Sequence, residues 1–581
     1  MEFVLALHSH LPYVLHHGRW PHGSDWLCEA ALDTYLPLLE RLEDLAGEGT
    51  AAPLTIGFTP VLANQLASPA FASEMEAFFA QRLAACAEAP ASLESTGDRA
   101  LVPLVGFWEA RLRRLQALFR RIDRDLVAAF RRLEEAGRLE IIGSAATHGY
   151  LPLLARDESI RLQLLVGRDE HRRLFGRLPQ GCWLPECAYR PRGPWAPPLG
   201  TGGRGRGGRV RRGIEEHLAD AGFRYFFTDA HLAHAGAPLG TYSDIPLGVE
   251  RFDADRHDPA ARSYEPGKSA RSPHRAYRVS ATGSRRPVAA LVRDPRSSTQ
   301  IWSRHHGYPG DETYLEFHKI RWPGGLKLWR VSGANVDLGG KRAYEPAAAL
   351  ARAAGHAAHF VHLLASLSAE EGGGGGGRGA GGSRGRRAGG DGVIVAPFDT
   401  ELFGHWWFEG PDFLAATYRA LRAAGTAGVR AVTASQHLEH HPPRTGLRLA
   451  EGSWGANGDH SMWLNERTAW TWERLAPLEA AFWDAAPTAL ATDAARPVLA
   501  QAARELLLAQ ASDWQFIIST GAVVDYAERR FTLHCEEAQR LIQGLTDGAP
   551  PEATRQLAAE LGRRDDLFPD ILTQVAEALA R

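Results

Sequence analysis

Cysteine is scarce in this chain and never paired in sequence. Five occur in 581 residues: Cys28, Cys86, Cys182, Cys187 and Cys535. The number is odd, the spacings are wide, and no CxxC occurs, which argues against a disulfide framework and a zinc knuckle. Long apolar runs are missing too. No stretch reaches the length of a membrane span, and the N-terminus "MEFVLALHSH" lacks the basic region and the apolar length of a signal peptide. Excess charge is also absent. Sixty-six basic residues face 68 acidic ones, a formal net charge of -2, so neither nucleic acid nor an anionic membrane is expected as a partner. A soluble cytoplasmic protein with reduced thiols is the expectation.

What is present is a large core. Hydrophobic residues make up 44% of the chain, and the length exceeds what one core usually serves. Seven short apolar runs read as buried strands: Phe3 to Leu7, Leu54 to Phe58, Leu139 to Gly143, Cys182 to Pro185, Arg224 to Thr228, Val393 to Phe398 and Arg430 to Ala434. Amphipathic stretches separate most of them, the clearest running from Phe107 to Gly137. Strands alternating with helices predict a parallel sheet, open or closed into a barrel. Three segments read as insertions: Gly200 to Gly213, Asp253 to Pro287 and Glu371 to Gly390. The first and last are Gly/Arg-rich and expected to be disordered. The first holds a formal GxGxxG, but no strand precedes it, so it carries no dinucleotide reading. After about Gly455 the pattern becomes helical, with "RTAWTWERLAPLEAAFWDAA" and "PVLAQAARELLLAQASDWQFIIS" each reading as amphipathic helix.

Four strands end in polar clusters: "HSHLPY", "ATHGY", Glu186 of "WLPECAY", and "DTELFGH". In a barrel these ends share one face and converge on one pocket. Glu186 and Asp399 each close an apolar run beside aromatic residues. Two carboxyls flanking a scissile bond are what glycosidic chemistry uses, one as nucleophile and one as acid. Apolar surroundings would raise the pKa of the acid. A buried acid paired with an arginine is the bland alternative for either position. His8, His10 and His148 could bind a metal as an HxH set with a third ligand, or could hydrogen-bond sugar hydroxyls. Trp302, Trp406, Trp407, Trp454 and Trp463 form a group whose indoles could stack on sugar rings. The histidines from His437 to His441 read as a solvated loop.

The stretches "HSHLPY", "GSAATHGYLPLL", "WLPECAYRP", "APFDTELFGHWWFEGP" and "WGANGDHSMWLN" resemble, in order, the five motif regions of glycoside hydrolase family 57, most closely its glucan-branching members. The resemblance covers most of residues 1–545. It implies an incomplete seven-stranded (β/α) barrel over 1–455, with insertions around 191–287 and 371–390. A helical C-terminal domain over 456–545 and a peripheral helical tail over 546–581 would follow. It implies retaining transfer on α-1,4-glucan to form α-1,6 branches, with neither metal nor cofactor. The nearest alternatives are an α-amylase or a 4-α-glucanotransferase on the same scaffold. More remote ones are a metal-dependent polysaccharide deacetylase, suggested by the histidines, and a non-catalytic glucan-binding protein. By resemblance Glu186 is the nucleophile and Asp399 the acid/base. His10 and His148 line the donor site, and Trp302, Trp407, Trp454 and Trp463 line the glucan cleft. Tyr242 covers the site, and Arg293, Gly310 and Asp513 contact substrate.

Overall fold

The computed structural model describes residues 1–198, 209–235, 271–279, 287–303, 307–333, 335–373, 391–425, 428–545 and 549–580. Eleven strands are present among them: β1 (Glu2–Ser9), β2 (Leu54–Phe58), β3 (Leu139–Ser144), β4 (Gly181–Trp183), β5 (Gly193–Trp195), β6 (Arg209–Arg211), β7 (Tyr225–Thr228), β8 (Ala276–Val279), β9 (Val288–Val292), β10 (Val393–Asp399) and β11 (Arg430–Ala431). The order of the main sheet is β10-β1-β2-β3-β4-β7-β9-β8. Seven of these pair in parallel, and β8 joins β9 antiparallel. The ring closes between β9 and β10 through the bridge of Arg293 with Val395. This is the incomplete seven-stranded (β/α) barrel that the resemblance implies. β5 and β6 form a separate hairpin.

Alternation along the strands sorts the core into two parts. Phe3, Leu5 and Leu7 of β1 point out to the helices and join the large surrounding core. Val4 and Ala6 point inward, where they meet Ile142, Trp183, Phe227, Leu291 and Val395. His8 and Asp399 sit opposite one another in register at the C-terminal end of this interior. The base of the barrel is polar. Glu140 accepts hydrogen bonds from Tyr225 (2.6 Å) and from the Ser435 backbone (3.0 Å). Glu2 pairs with His437 (2.8 Å) and His440 (3.1 Å). The helix Ala434–His440 carries these partners, started by Thr433 and Gln436 in a capping box. His437 is fully buried. The histidines expected in a solvated loop therefore close the bottom of the barrel.

Other differences from the sequence reading have local causes. β9 was not foreseen, and the run expected to continue to Ala434 pairs with β1 over only two residues. β8 lies inside the segment expected to lack hydrophobic period. The helix expected from Phe107 to Gly137 breaks after Arg121, where Asp123 and Arg124 take left-handed backbone conformations. Asp125 starts the next helix by accepting from the Ala128 N–H at 2.8 Å. Of the two Gly/Arg-rich runs, residues 200–208 and 374–390 lie outside the described residues, but Arg209–Arg211 of the first run, expected to be disordered, pair with β5 as β6. No helix among the described residues is long and apolar enough to cross a membrane.

The C-terminal helices Ala469–Leu490, Arg496–Ala509, Asp513–Thr520 and Val524–Gln543 pack together, and Glu552–Arg564 and Ile571–Ala580 join them. The last two are not a loose appendage. Phe568, Ile571 and Val575 are buried, and helix Ile571–Ala580 packs on the barrel helix Asp157–Phe175. A buried charge network ties them to the loop after β1. Asp565 pairs with His17 (2.6 Å) and Arg564 (2.6 Å), while Glu505 pairs with His534 (2.7 Å). Burial would raise the Asp565 carboxyl, but His17, His534 and Arg564 hold it well below the ordinary carboxylate range. We expect Asp565→Ala to leave the buried His17 without its acceptor, while Arg564 keeps Glu537, and to lower unfolding stability by about 3 kcal/mol, read from the first urea transition.

Candidate active site

Glu186 sits in the short 3-10 turn Pro185–Cys187 just after β4. Its backbone is left-handed, at φ 59°, as is that of His148 at φ 59°. Side chains other than glycine adopt this region rarely, and such strain clusters at functional sites. The turn aims the carboxyl into the mouth of the barrel, where it is buried. Trp454 Nε1 donates to Oε2 at 2.9 Å, and Ser512 Oγ lies 3.4 Å from Oε1. His148 Nδ1 is 3.8 Å from Oε1. Burial pushes the Glu186 carboxyl up to about 8, with the Trp454 donor opposing the rise and the charges of Asp399 and Asp513 adding to it. Asp399, the last residue of β10, is also buried. Two residues on, Glu401 accepts from Tyr35 Oη and from the His10 N–H (3.2 Å). Burial likewise pushes Glu401 to about 8, against its Tyr35 hydrogen bond and with Asp399 adding to the rise. Tyr35 reaches it from a π-helical turn, Ala31–Tyr35, inserted in the helix after β1.

The three histidines form a stacked layer rather than a converging ligand set. His8 Nε2 and His148 Nε2 hydrogen-bond each other at 2.9 Å. His8 lies flat on Trp183, centroids 4.7 Å apart, and His10 stacks on His148 at 4.0 Å. His148 Nδ1 bonds Ser512 Oγ at 2.9 Å. His10 bonds Thr59 (3.0 Å) through Nδ1 and Asp513 (3.0 Å) through Nε2. Burial first, and then the neighbouring His10, hold His8 and His148 well below the usual imidazole pKa. Both are neutral rings. His8 and His148 spend their Nε2 atoms on each other, and His10 spends both ring nitrogens on Thr59 and Asp513, so the three rings offer no shared set of free ligand atoms. This geometry corrects the metal-site reading of His8, His10 and His148.

The remaining expected residues divide into several groups. Asp513 and Trp454 converge on the site as described. Arg293 follows β9, donates to Asp229 Oδ2 at 3.1 Å, and lies 5.8 Å from the Trp454 ring. Trp302 is half-buried against Phe398. Gly310 borders a polar cavity of about 360 Å³ shared with Gln300, Tyr308, Asp311 and His356. Tyr242 lies outside the described residues. The tryptophans correct the expectation of open stacking faces. Trp407 is packed among Phe403, Phe413, Tyr308 and Tyr314, and Trp463 is stacked on Tyr150 at 4.6 Å. With Trp454 they show at most 1% of their surface. Trp406 of the same group is exposed, as are Trp20 and Trp322 outside it.

Several site residues escaped the sequence reading. Asp229 follows β7, so the strand-end rule applied to the other clusters would have found it. Glu401 lies within "DTELFGH". Ser512 adjoins Asp513. Tyr35 carried no sequence signal, because it comes from a helix and its direction depends on the π turn.

The model of Glycosyl hydrolase family 57 matches residues 4–321, and that of the 1,4-alpha-glucan branching enzyme C-terminal region matches residues 476–575. The chain is 38% identical over 575 residues to a 1,4-alpha-glucan branching enzyme of Thermococcus kodakarensis, covering 98% of this chain and 77% of that one. The crystal structure of that enzyme superposes with a TM-score of 0.82 at 37% identity, covering 98% and 95% of the two chains. An alpha-amylase from Thermotoga maritima, AmyC, superposes with a TM-score of 0.77 at 26% identity, covering 100% and 99%. With more than half of its length matched by the family model, the chain belongs to glycosyl hydrolase family 57.

Proposed function

We propose that this protein is a 1,4-α-glucan branching enzyme that works by retaining double displacement, with Glu186 as nucleophile and Asp399 as acid/base. The observation that carries the nucleophile role is the pair of donors that holds the Glu186 carboxyl. Glu186 faces two donors, Trp454 Nε1 and Ser512 Oγ, and an indole N–H can only donate. These donors orient the carboxyl and oppose the rise that burial imposes on it. The named activity of the relatives over nearly the whole chain supports an α-1,4-glucan substrate.

In the first step a Glu186 oxygen bonds the anomeric carbon. The glycosidic C–O bond breaks, and the Asp399 proton passes to the leaving 4-oxygen. In the second step Asp399 takes the proton of an acceptor 6-hydroxyl, whose oxygen attacks the anomeric carbon and releases Glu186. Glu186 and Asp399 must therefore share one proton at the start, and their titration belongs to the pair. The neutral rings of His8 and His148 give a flat polar wall without adding charge of their own beside the reacting centre. Arg293, Gly310, Trp302 and Asp513 serve as substrate contacts, and Tyr242 as a cover. We take all helices from Ala469 onward as one module that completes the barrel mouth. Five buried, unpaired cysteines support a reducing compartment, the cytoplasm.

A second reading is hydrolysis, favoured by the likeness to the Thermotoga alpha-amylase. Transfer wins only if a sugar hydroxyl reaches the glycosyl-enzyme before water. Incubation with amylose should produce α-1,6 anomeric signals in proton NMR. New reducing ends without them would support the hydrolytic reading, and longer linear chains a 4-α-glucanotransferase.

Asp399→Asn should lower kcat by a hundredfold or more, on the order expected for loss of a general acid. Glu186→Gln should abolish turnover, with glucan retention in affinity gels unchanged for both variants.

The raised Glu186 pKa also has a sign in stability. A carboxyl held up to about 8 in the fold favours folding fully below its unfolded value. That contribution is lost as pH rises through the folded one. Glu186→Gln should therefore melt a few degrees above wild type at pH 8.5, and the gap should close toward pH 5. Calorimetry at the two pH values checks it.

A further inference from the structure

We infer that Ser512 is a positioning residue for the nucleophile, ending a one-way hydrogen-bond chain that runs from His8 through His148 and Ser512 to Glu186. This inference rests on the assignment of Glu186 as the nucleophile. The links are His8 Nε2 to His148 Nε2 (2.9 Å), His148 Nδ1 to Ser512 Oγ (2.9 Å) and Ser512 Oγ to Glu186 Oε1 (3.4 Å).

The direction of the chain follows from its far end. His8 Nδ1 is buried without a partner. A buried N–H left without an acceptor is rarer in proteins than an unfilled acceptor, so the His8 proton belongs on Nε2. It then donates to His148 Nε2, which must be the unprotonated nitrogen of a neutral ring. His148 Nδ1–H donates to Ser512 Oγ. The Ser512 hydroxyl proton has Glu186 Oε1 as its acceptor. Reversing the chain would place a bare N–H at His8 Nδ1. The neutrality of both rings agrees with their burial.

The position of Ser512 gives a second, independent observation. It stands at the N-cap of helix Asp513–Thr520, a place where serine normally accepts a hydrogen bond from the first turn. Here the side chain makes no capping bond. Its oxygen is turned to the site instead, and its backbone N–H donates to the His148 carbonyl at 3.1 Å. Ser512 is fully buried. Its neighbour Asp513 holds His10, so two consecutive residues of the helical module set two histidines and the nucleophile.

The test uses Ser512→Ala and Ser512→Thr in the full chain. The groups around Glu186 that could also titrate are Asp399 from β10, Asp513 from the helical module, His148 and Tyr150 from the loop after β3, and the adjacent Cys187. All remain in both variants. Ser512→Ala should lower kcat about tenfold, the scale of one hydrogen bond to a charged group, with KM within about twofold. The acidic limb of kcat/KM should move to higher pH, because the ionised carboxylate has lost a donor. Ser512→Thr, which keeps the hydroxyl, should restore both. A packing role alone would lower the melting temperature and leave the limb in place, and that result would overturn the inference. So would failure of the threonine variant to recover rate and limb while remaining folded. Should the alanine variant not fold, Ser512→Cys, similar in shape but a poor donor, gives the same readout. Trapping the glycosyl-enzyme with 5-fluoro-α-glucosyl fluoride separates the two levels. Label on the Glu186 peptide upholds the nucleophile. Label elsewhere would remove that assignment and this inference with it.

Discussion

A carboxylate buried at the mouth of the barrel has to be given hydrogen-bond donors, and the strands cannot provide them. Inside a parallel barrel the backbone N–H groups are committed to neighbouring strands, and most side chains facing inward here are apolar. Glu186 is therefore held from outside the barrel: by Trp454, 268 residues further along the chain, and by Ser512, 326 residues further. A buried charge without such partners would neutralise itself or unfold its surroundings. Much of the organisation of the second half of the molecule can be understood from this need. The segment that turns at Gly455 and Gly458 delivers the indole. The break between helices at Gln510 to Ser512 delivers the hydroxyl, and the next residue delivers the carboxylate that orients His10.

The two ends of the barrel solve related problems differently. At the base, Glu2 and Glu140 are satisfied by a helix that plugs the opening and brings His437 and Ser435 inside. That end is saturated and closed. At the mouth, Glu186, Glu401 and Asp399 lie close enough for the Asp399 charge to raise both glutamates. The mouth keeps carboxyls poised between protonation states, which is what a two-step transfer requires, while the base keeps them fully compensated. Three left-handed residues, His148, Glu186 and Cys187, stand at the mouth, and the surrounding packing sustains their strain.

The legibility of each element follows from how local its cause is. Six of the seven barrel strands could be read because a strand buried on both faces is an apolar run in any context. β9 escaped because "VAALV" is short, alanine-rich and preceded by a long polar segment. The histidines near residue 440 looked solvated because their partners, Glu2 and Arg430, are distant in sequence or on another element. The stretch from Pro497 to Ser519 read as one helix because its apolar period continues across Gln510 to Ser512. Its interruption is dictated by contacts with His148 and Glu186 that no periodicity encodes. Trp407 and Trp463 carried the aromatic signal of a sugar site yet are packing residues, since an indole serves either purpose equally well.

The sequence by itself determined six of the parallel strands and the polar clusters at their C-terminal ends, Glu186 and Asp399 among them, because strand-end placement and residue type are local properties. Tertiary structure alone decided which groups face those carboxyls. It turned the histidines toward one another instead of toward a metal, made Trp454 a donor instead of a stacking face, and brought Ser512 and Tyr35 into the site. Those outcomes depend on hydrogen-bond partners hundreds of residues apart. Only the folded chain brings such partners together.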